Sequence, residues 1–262
     1  MESSAKWQVI HYKNNLTHEQ EASVAAEYPL TIFMNQKELI TIVCTPDHLE
    51  DLIIGFLISE GVVSTPSDIE KIEIIEATGH AYVTAKFINQ FNTKHRTKRY
   101  ITSCCGKSRE NFYFQADATL VQPSPLGKLQ IKPDSIFNLM EQFEKESCTF
   151  HETGGVHNAG LCDASQIICS RMDIGRHNAL DKIYGQCLQE KLTVADKIII
   201  FSGRISSEIL VKTAKIGVSM ILSRSAPTEL AIKMAEELNL TTVGFIRDES
   251  MNIYTGSERI QL

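Results

Sequence analysis

Two adjacent cysteines, Cys104 and Cys105, stand before Gly106, Lys107 and Ser108 in the stretch ITSCCGKSRE. Four chemistries suit such a group at first sight: a nucleophile, a metal clamp, the tail of a phosphate loop, or none. A phosphate loop needs a glycine five positions before Gly106, and Ile101 stands there. A disulfide between the neighbours is disfavoured, because consecutive Cα atoms lie about 3.8 Å apart, below the disulfide range. A metal clamp needs further ligands nearby. The seven cysteines (Cys44, Cys104, Cys105, Cys148, Cys162, Cys169 and Cys187) contain no C-x-x-C, so the usual zinc spacing is absent. A reactive thiol or an inert one remains. Lys94, His95, Arg96, Lys98 and Arg99 precede the pair, and Lys107 and Arg109 follow it. Positive neighbours raise the thiolate fraction, and the polar stretch predicts an accessible sulfur.

A second group of residues is spread along the C-terminal half. Each short apolar run there is followed by an arginine: Arg171 or Arg176 after QIICS, Arg204 after KIIIF, Arg224 after VSMIL and Arg247 after TTVGF. Serines accompany them: Ser202, Ser206 and Ser207, then Ser223 and Ser225, then Ser250. Gly203 sits beside Arg204. His177 and Asn178 follow Arg176, and GGVHNAGL repeats the His-Asn pair. Taken singly, each arginine has a nearby acid: Asp173, Glu208, Glu229 or Asp248. Taken together, guanidinium forks beside helix starts favour a multiply charged anion, with a nucleotide or dinucleotide as the natural ligand.

The elements that must position these groups follow from periodicity. Residues 30–44 predict strand, turn, strand, with the turn at NQK. Thr45-Pro46 predicts a helix start, Leu49, Leu52, Ile53, Phe56 and Leu57 share its face, and Gly61 ends it. KIEIIEA and HAYVTAKF predict paired strands about Thr78-Gly79. Proline-rich residues 122–133 predict a boundary between residues 1–121 and 122–262. Beyond it come a helix at 134–147 and an alternation: strand QIICSRM, helix 177–190, strand KIIIFS, helix 206–216, strand VSMILS, helix 227–238, strand TTVGFI. This rhythm predicts an α/β fold with a mostly parallel sheet, whose ligands bind beyond the carboxyl ends of the strands.

The composition excludes other classes. At 262 residues and net charge −6, with 43% apolar and 22% charged residues, the chain predicts a soluble protein without general affinity for nucleic acid or membrane. No apolar run approaches the length of a bilayer span. The start lacks the layout of a secretory signal, which predicts a cytoplasmic protein. The odd cysteine count argues against a disulfide framework. Cys44, Cys169 and Cys187 lie in apolar runs and read as core residues; Cys148 and Cys162 have no distinguishing context.

Several stretches together resemble the FdhD family, accessory proteins of formate dehydrogenase. They are EYPLTIFMN, GFLISEGVV, TGGVHNAGL, DIGRHNALDKIYG, SGRISSEILVKTAKIG, SRSAPTELAIKMAEEL and GFIRDESMNIYT, in family order from Glu27 to Thr255. DIGRHNALDK and SRSAPT are the most specific. The resemblance implies a sulfurtransferase and sulfur carrier. It would take persulfide sulfur from a cysteine desulfurase and deliver it to the molybdenum bis(molybdopterin guanine dinucleotide) cofactor, held as substrate before insertion into the formate dehydrogenase catalytic subunit. It also implies a cytidine-deaminase-like three-layer C-terminal domain and a smaller, β-rich α+β N-terminal domain. The deaminase zinc signature is missing, so neither zinc nor deamination is expected.

By the same resemblance, Cys105 is the persulfide carrier and Cys104 its alternate. Phe245, Ile246, Arg247, Asp248, Glu249 and Ser250 would lie on the cofactor. They join Ser202, Gly203, Arg204, Ser223, Arg224, Ser225, Arg176 and His177 from the strand-end reading. A homodimer is implied as well. Many relatives carry C-G-x-C-G where this chain has Cys105-Gly106-Lys107-Ser108. The missing second cysteine raises an alternative: a cofactor-binding chaperone that holds the guanine dinucleotide while another protein does the sulfur chemistry.

Overall fold

Three pairs of consecutive residues take positive φ: Asn14 and Asn15, Asn35 and Gln36, Asp248 and Glu249. Positive φ at both central positions is the requirement of a type I′ hairpin turn, and asparagine and aspartate tolerate it best. Each pair closes a hairpin. The first joins β1 (Ser4–Lys13) to β2 (Leu16–Ala25), the second β3 (Tyr28–Met34) to β4 (Lys37–Cys44), the third β12 (Thr241–Arg247) to β13 (Ser250–Thr255). The computed structural model describes residues 1–89, 100–101 and 129–262.

In the first half, β5 (Ile69–Ile75), β6 (His80–Ala85) and β7 (Tyr100–Ile101) join β3 and β4 in a five-stranded sheet of order β5-β6-β3-β4-β7. The strands expected at 30–44 and about Thr78-Gly79 form as expected. Helix α1 (Leu49–Ser59) covers this sheet with Leu52, Ile53, Phe56 and Leu57, and ends before Gly61 at φ 64°. It does not start on Thr45 as the sequence predicts; His48 precedes its first turn. Thr45 is diverted. Its N–H donates to Asp173 Oδ2 at 3.0 Å, and its hydroxyl accepts from the Ile174 N–H at 3.0 Å, both from the second half of the chain.

The second half holds α2 (Pro133–Lys145), α3 (Cys148–Thr153), β8 (His157–Cys162), β9 (Ile167–Asp173), α4 (Arg176–Gln189), β10 (Ile198–Phe201), α5 (Ser207–Ile216), β11 (Met220–Ser223) and α6 (Glu229–Glu237). Its six-stranded sheet runs β13-β12-β11-β10-β8-β9. The expectation of a mostly parallel sheet is corrected here. Only β10–β11 and β11–β12 pair parallel; β8–β9, β8–β10 and β12–β13 are antiparallel. The sequence HNAGLC carries no β-branched residue, so β8 was invisible to a propensity reading. Gly160 is required there by a close approach: a Cβ would sit 2.8 Å from Ile200 and 3.2 Å from the Phe143 ring.

Helices α4, α5 and α6 cover one face of this sheet through Leu180, Ile183, Ile209, Leu210 and Ala235 against Leu161, Ile199, Phe201 and Ile221. Helix α2 covers the other through Ile136, Leu139 and Phe143 against Ile198, Ile200 and Leu222. The two halves then meet helix to helix. A Cβ on Gly55 of α1 would lie 1.8 Å from the Asp181 carbonyl oxygen, and one on Gly185 of α4 would lie 1.9 Å from that of Asp51. Only glycine permits backbones this close. No helix among the described residues is long and apolar enough to cross a membrane.

Candidate functional site at the strand ends

Strands β10, β11 and β12 are parallel, and β9 runs with them because two antiparallel steps through β8 restore the direction. Their carboxyl ends therefore reach one edge of the sheet, joined there by the start of β8. The sequence expects this edge to carry Ser202, Gly203, Arg204, Ser223, Arg224, Ser225, Arg176 and His177, and the fold brings these residues to it.

Hydrogen bonds lock the edge. Ser202 Oγ accepts from the Asn158 N–H at 2.9 Å, and the Ser202 N–H donates to the Asn158 carbonyl at 3.0 Å. Ser225 Oγ donates to the Ser202 carbonyl at 3.3 Å. The buried Ser223 hydroxyl donates to the Gly203 carbonyl at 2.8 Å and accepts from the Ser225 N–H at 3.0 Å. These serines are thus spent on shaping the loops. Ile246 is buried against α2, so its side chain belongs to the core. Phe245 is exposed with φ 54° beside a bulge, and Asp248 and Glu249 form the turn between Arg247 and Ser250.

The edge carries four arginines together with the carboxylates of Glu144, Glu208, Asp248 and Glu249. Arg204 is exposed. Arg224 is half-exposed and pairs with Glu144 of α2, while Arg247 Nη2 donates to the Arg224 carbonyl at 3.3 Å. His177 Nε2 lies 3.0 Å from Glu208, tying the start of α4 to that of α5. His157 lies 3.4 Å from where a Gly203 Cβ would stand. Burial first, then the Arg176 and His177 charges, hold its imidazole below the usual histidine range. Among the described residues, α4 starts on Gly175 with no side-chain cap, whereas Ser206 and Thr228 cap α5 and α6. Three of the four nearby acids have other partners: Asp173 pairs with Lys182, Glu208 lies against His177 and Glu229 pairs with Lys233. Arg171 turns away to Asp51 of α1, Nε to Oδ2 at 2.8 Å, which leaves Arg176 as the arginine of this turn at the edge.

Beside the edge, a cleft of about 200 Å³ is lined by Asp47 and His48, by Phe143 and residues 146–149, and by Asn158 and residues 170–172. It is bounded by both halves of the chain. Sequence reasoning undervalued His157 and Asn158, whose only trace was the repeated His-Asn pair. It also missed Lys182, fully buried in α4. Lys182 Nζ contacts Asp47, Asp173 at 2.9 Å, and the Thr45 and Met172 carbonyls at 3.2 and 3.1 Å. Burial opposes its charge, but the two carboxylates outweigh it and raise its pKa. A second buried group, Lys212 with Asp181 at 2.5 Å and Ser59 at 2.8 Å, repeats the device. The specific stretch DIGRHNALDK therefore spends Asp173, Asn178, Asp181 and Lys182 on holding the two halves together.

Cys104 and Cys105 lie outside the described residues. Among the described cysteines, burial pushes the Cys162 and Cys187 thiols up to about 12 and that of Cys44 higher still. Half-buried Cys169 is also raised by burial. Cys148 is exposed.

A sequence model of the FdhD/NarQ family matches residues 25–261. The sulfur carrier protein FdhD of Listeria monocytogenes serotype 4b (strain F2365) is 69% identical over 242 residues, 92% of this chain and 93% of that one. Its counterpart of the same name in Bacillus subtilis (strain 168) is 49% identical over 253 residues, 97% and 96% of the two chains. The crystal structure of a candidate formate dehydrogenase accessory protein from Desulfotalea psychrophila superposes with a TM-score of 0.80 at 23% identity, covering 99% of this chain and 100% of that one. It shares this mixed α/β architecture. With a family match over nearly its whole length and relatives this similar, the chain belongs to the FdhD/NarQ family.

Proposed function

We propose that this protein is a sulfur carrier acting as a sulfurtransferase for formate dehydrogenase. Cys105, with Cys104 as alternate, accepts sulfur from a cysteine desulfurase. The Cys105 thiolate attacks the outer sulfur of the donor's persulfide; the donor S–S bond breaks, the donor cysteine leaves as thiolate, and Cys105 becomes a persulfide. The acceptor is the molybdenum bis(molybdopterin guanine dinucleotide) cofactor, bound as substrate at the strand-end edge and passed on to the formate dehydrogenase catalytic subunit. The setting is the cytoplasm.

The observation that carries this reading is the gathering of Arg176, Arg204, Arg224, Arg247, His157 and His177 at one sheet edge beside the uncapped start of α4. A ligand with two pyrophosphates suits those donors, because guanidinium forks and helix-start N–H groups both donate to phosphate oxygens. The reach of the chain is consistent with it. Ile101 pairs with Ile42, and four residues span at most about 14 Å; Thr45, three residues past Ile42, is bonded to Asp173 at the edge of the site. The raised thiols of Cys44, Cys162, Cys169 and Cys187 make those four poor carriers.

Incubation with a cysteine desulfurase and cysteine should add 32 Da to Cys105, read by peptide mass spectrometry. Cys105→Ala should abolish formate dehydrogenase maturation while guanine nucleotide binding persists. An uncharged Cys105, under conditions that charge a control carrier, would leave a cofactor-binding chaperone in place of the transferase.

A further inference from the structure

The cleft between the halves holds two groups that the proposed chemistry does not use. The first is the Asn158 carboxamide. The backbone of Asn158 locks the Ser202 loop, but its side chain has no hydrogen-bond partner among the described residues, although Asn158 is only 6% exposed. Asn158 and Gly160 share a sheet face, and at Gly160 that face meets Phe143 of α2, which lines the cleft. The carboxamide therefore points into the cleft, where it offers both a donor and an acceptor. The second group is Cys148, on the opposite wall at the α2–α3 junction. It is the one exposed thiol among the described cysteines. The junction is fixed: Ser147 Oγ donates to the Phe143 carbonyl at 2.7 Å, and the Cys148 N–H to the Glu146 carbonyl at 2.9 Å.

The charges lining the cleft are nearly all spent. Asp47 is paired with Lys182, and Arg171 with Asp51. Burial, then the Arg171 charge, hold His48 below the usual histidine range, so its imidazole is neutral at pH 7. Glu146 is exposed and has no ion-pair partner among the described residues. The volume of about 200 Å³, at about 30 Å³ per water-sized group, admits roughly seven non-hydrogen atoms. That is a free amino acid, not a nucleotide. Its carboxylate accepts from Asn158 Nδ2, its ammonium donates to Glu146, and a sulfur on its side chain meets Cys148.

We propose that this cleft binds a free amino-acid hydropersulfide and that Cys148 takes up its outer sulfur. The Cys148 thiolate attacks the outer sulfur and the ligand's S–S bond breaks. The inner sulfur leaves as a thiolate, which takes the proton Cys148 gave up, and Cys148 becomes a persulfide; no net electrons enter or leave. The step deepens the sulfur-carrier reading and rests on it for the identity of the cargo, but it uses neither Cys104 nor Cys105.

The test uses the full chain carrying Cys104→Ala and Cys105→Ala, treated with cysteine hydropersulfide made from cystine and sulfide. Peptide mass spectrometry should show a gain of about 32 Da on Cys148, at a rate that saturates with hydropersulfide concentration. Asn158→Leu should slow the reaction at low concentration by about tenfold or more, the value of a charge-assisted hydrogen bond. Glu146→Gln, an exposed change that spares the fold, should raise the half-saturating concentration with the maximal rate unchanged. A hydropersulfide without amino or carboxylate groups should react without saturation. Absence of the Cys148 adduct overturns the proposal. So does a rate that rises linearly with cysteine hydropersulfide and ignores both substitutions, which would make Cys148 an ordinary surface thiol. Because the protein tested lacks both motif cysteines, either result leaves the assignment of Cys105 to its own test.

Discussion

Lys182 shows how much a single residue can do away from the chemistry. It has no exposure and faces two carboxylates and two carbonyls from separate chain segments. Removing one member of a buried ion group leaves the rest uncompensated, which costs about 3–5 kcal/mol. Lys182→Met should lower unfolding stability by that amount in urea titrations. At the strand ends the expectation is reversed. Arg204 is exposed, so Arg204→Ala should leave stability within about 0.5 kcal/mol. The same variant should weaken guanosine diphosphate binding by about tenfold or more in calorimetry, the value of a charge-assisted hydrogen bond. His157 adds a pH dependence. Its pKa is lowered in the fold, so the unfolded chain takes a proton more readily. The stability it contributes is therefore full above its unfolded value of about 6.5 and is lost as pH falls through its depressed folded value. Melting temperatures should drop between pH 7.5 and pH 5.5, and His157→Gln should flatten part of that slope.

Among the elements, the α1–α4 pair joins the two sheets. The backbones meet at Gly55 and Gly185, and the two lysine-centred networks flank the contact. Gly55→Ala must push a methyl group into the Asp181 carbonyl. Overpacking of this kind costs about 1–3 kcal/mol or more. The variant should melt earlier than wild type and bind the nucleotide more weakly per folded molecule, since α4 starts at the strand-end site. Unchanged melting would show that the helices separate freely. The elements were legible to different degrees. Helices α2, α4, α5 and α6 and strands β9–β12 show in the sequence because side-chain spacing is a local property. Strand β8 does not, because its small residues answer to Phe143 and Ile200 across the sheet.

For the whole molecule, the layers run from the five-stranded sheet through α1, then α4 with α5 and α6, to the six-stranded sheet and α2. A shared helical layer and buried ion groups make separate melting of the halves costly, since either half alone would expose unpaired charge. Scanning calorimetry should give one cooperative transition with equal calorimetric and van't Hoff enthalpies; two resolved transitions would refute the coupling.

By itself the sequence determined the rhythm of strands and helices, the arginine after each C-terminal strand, and the family. These depend on neighbours along the chain or on residue types that recur in order. Only the tertiary structure decided the direction of β8 and β13, the diversion of Arg171 to Asp51, and the burial of Lys182. A lysine in an amphipathic helix reads as a solvated face until partners such as Asp47 and Thr45, more than a hundred residues away, arrive to compensate it, and those partners are chosen by packing, not by spacing.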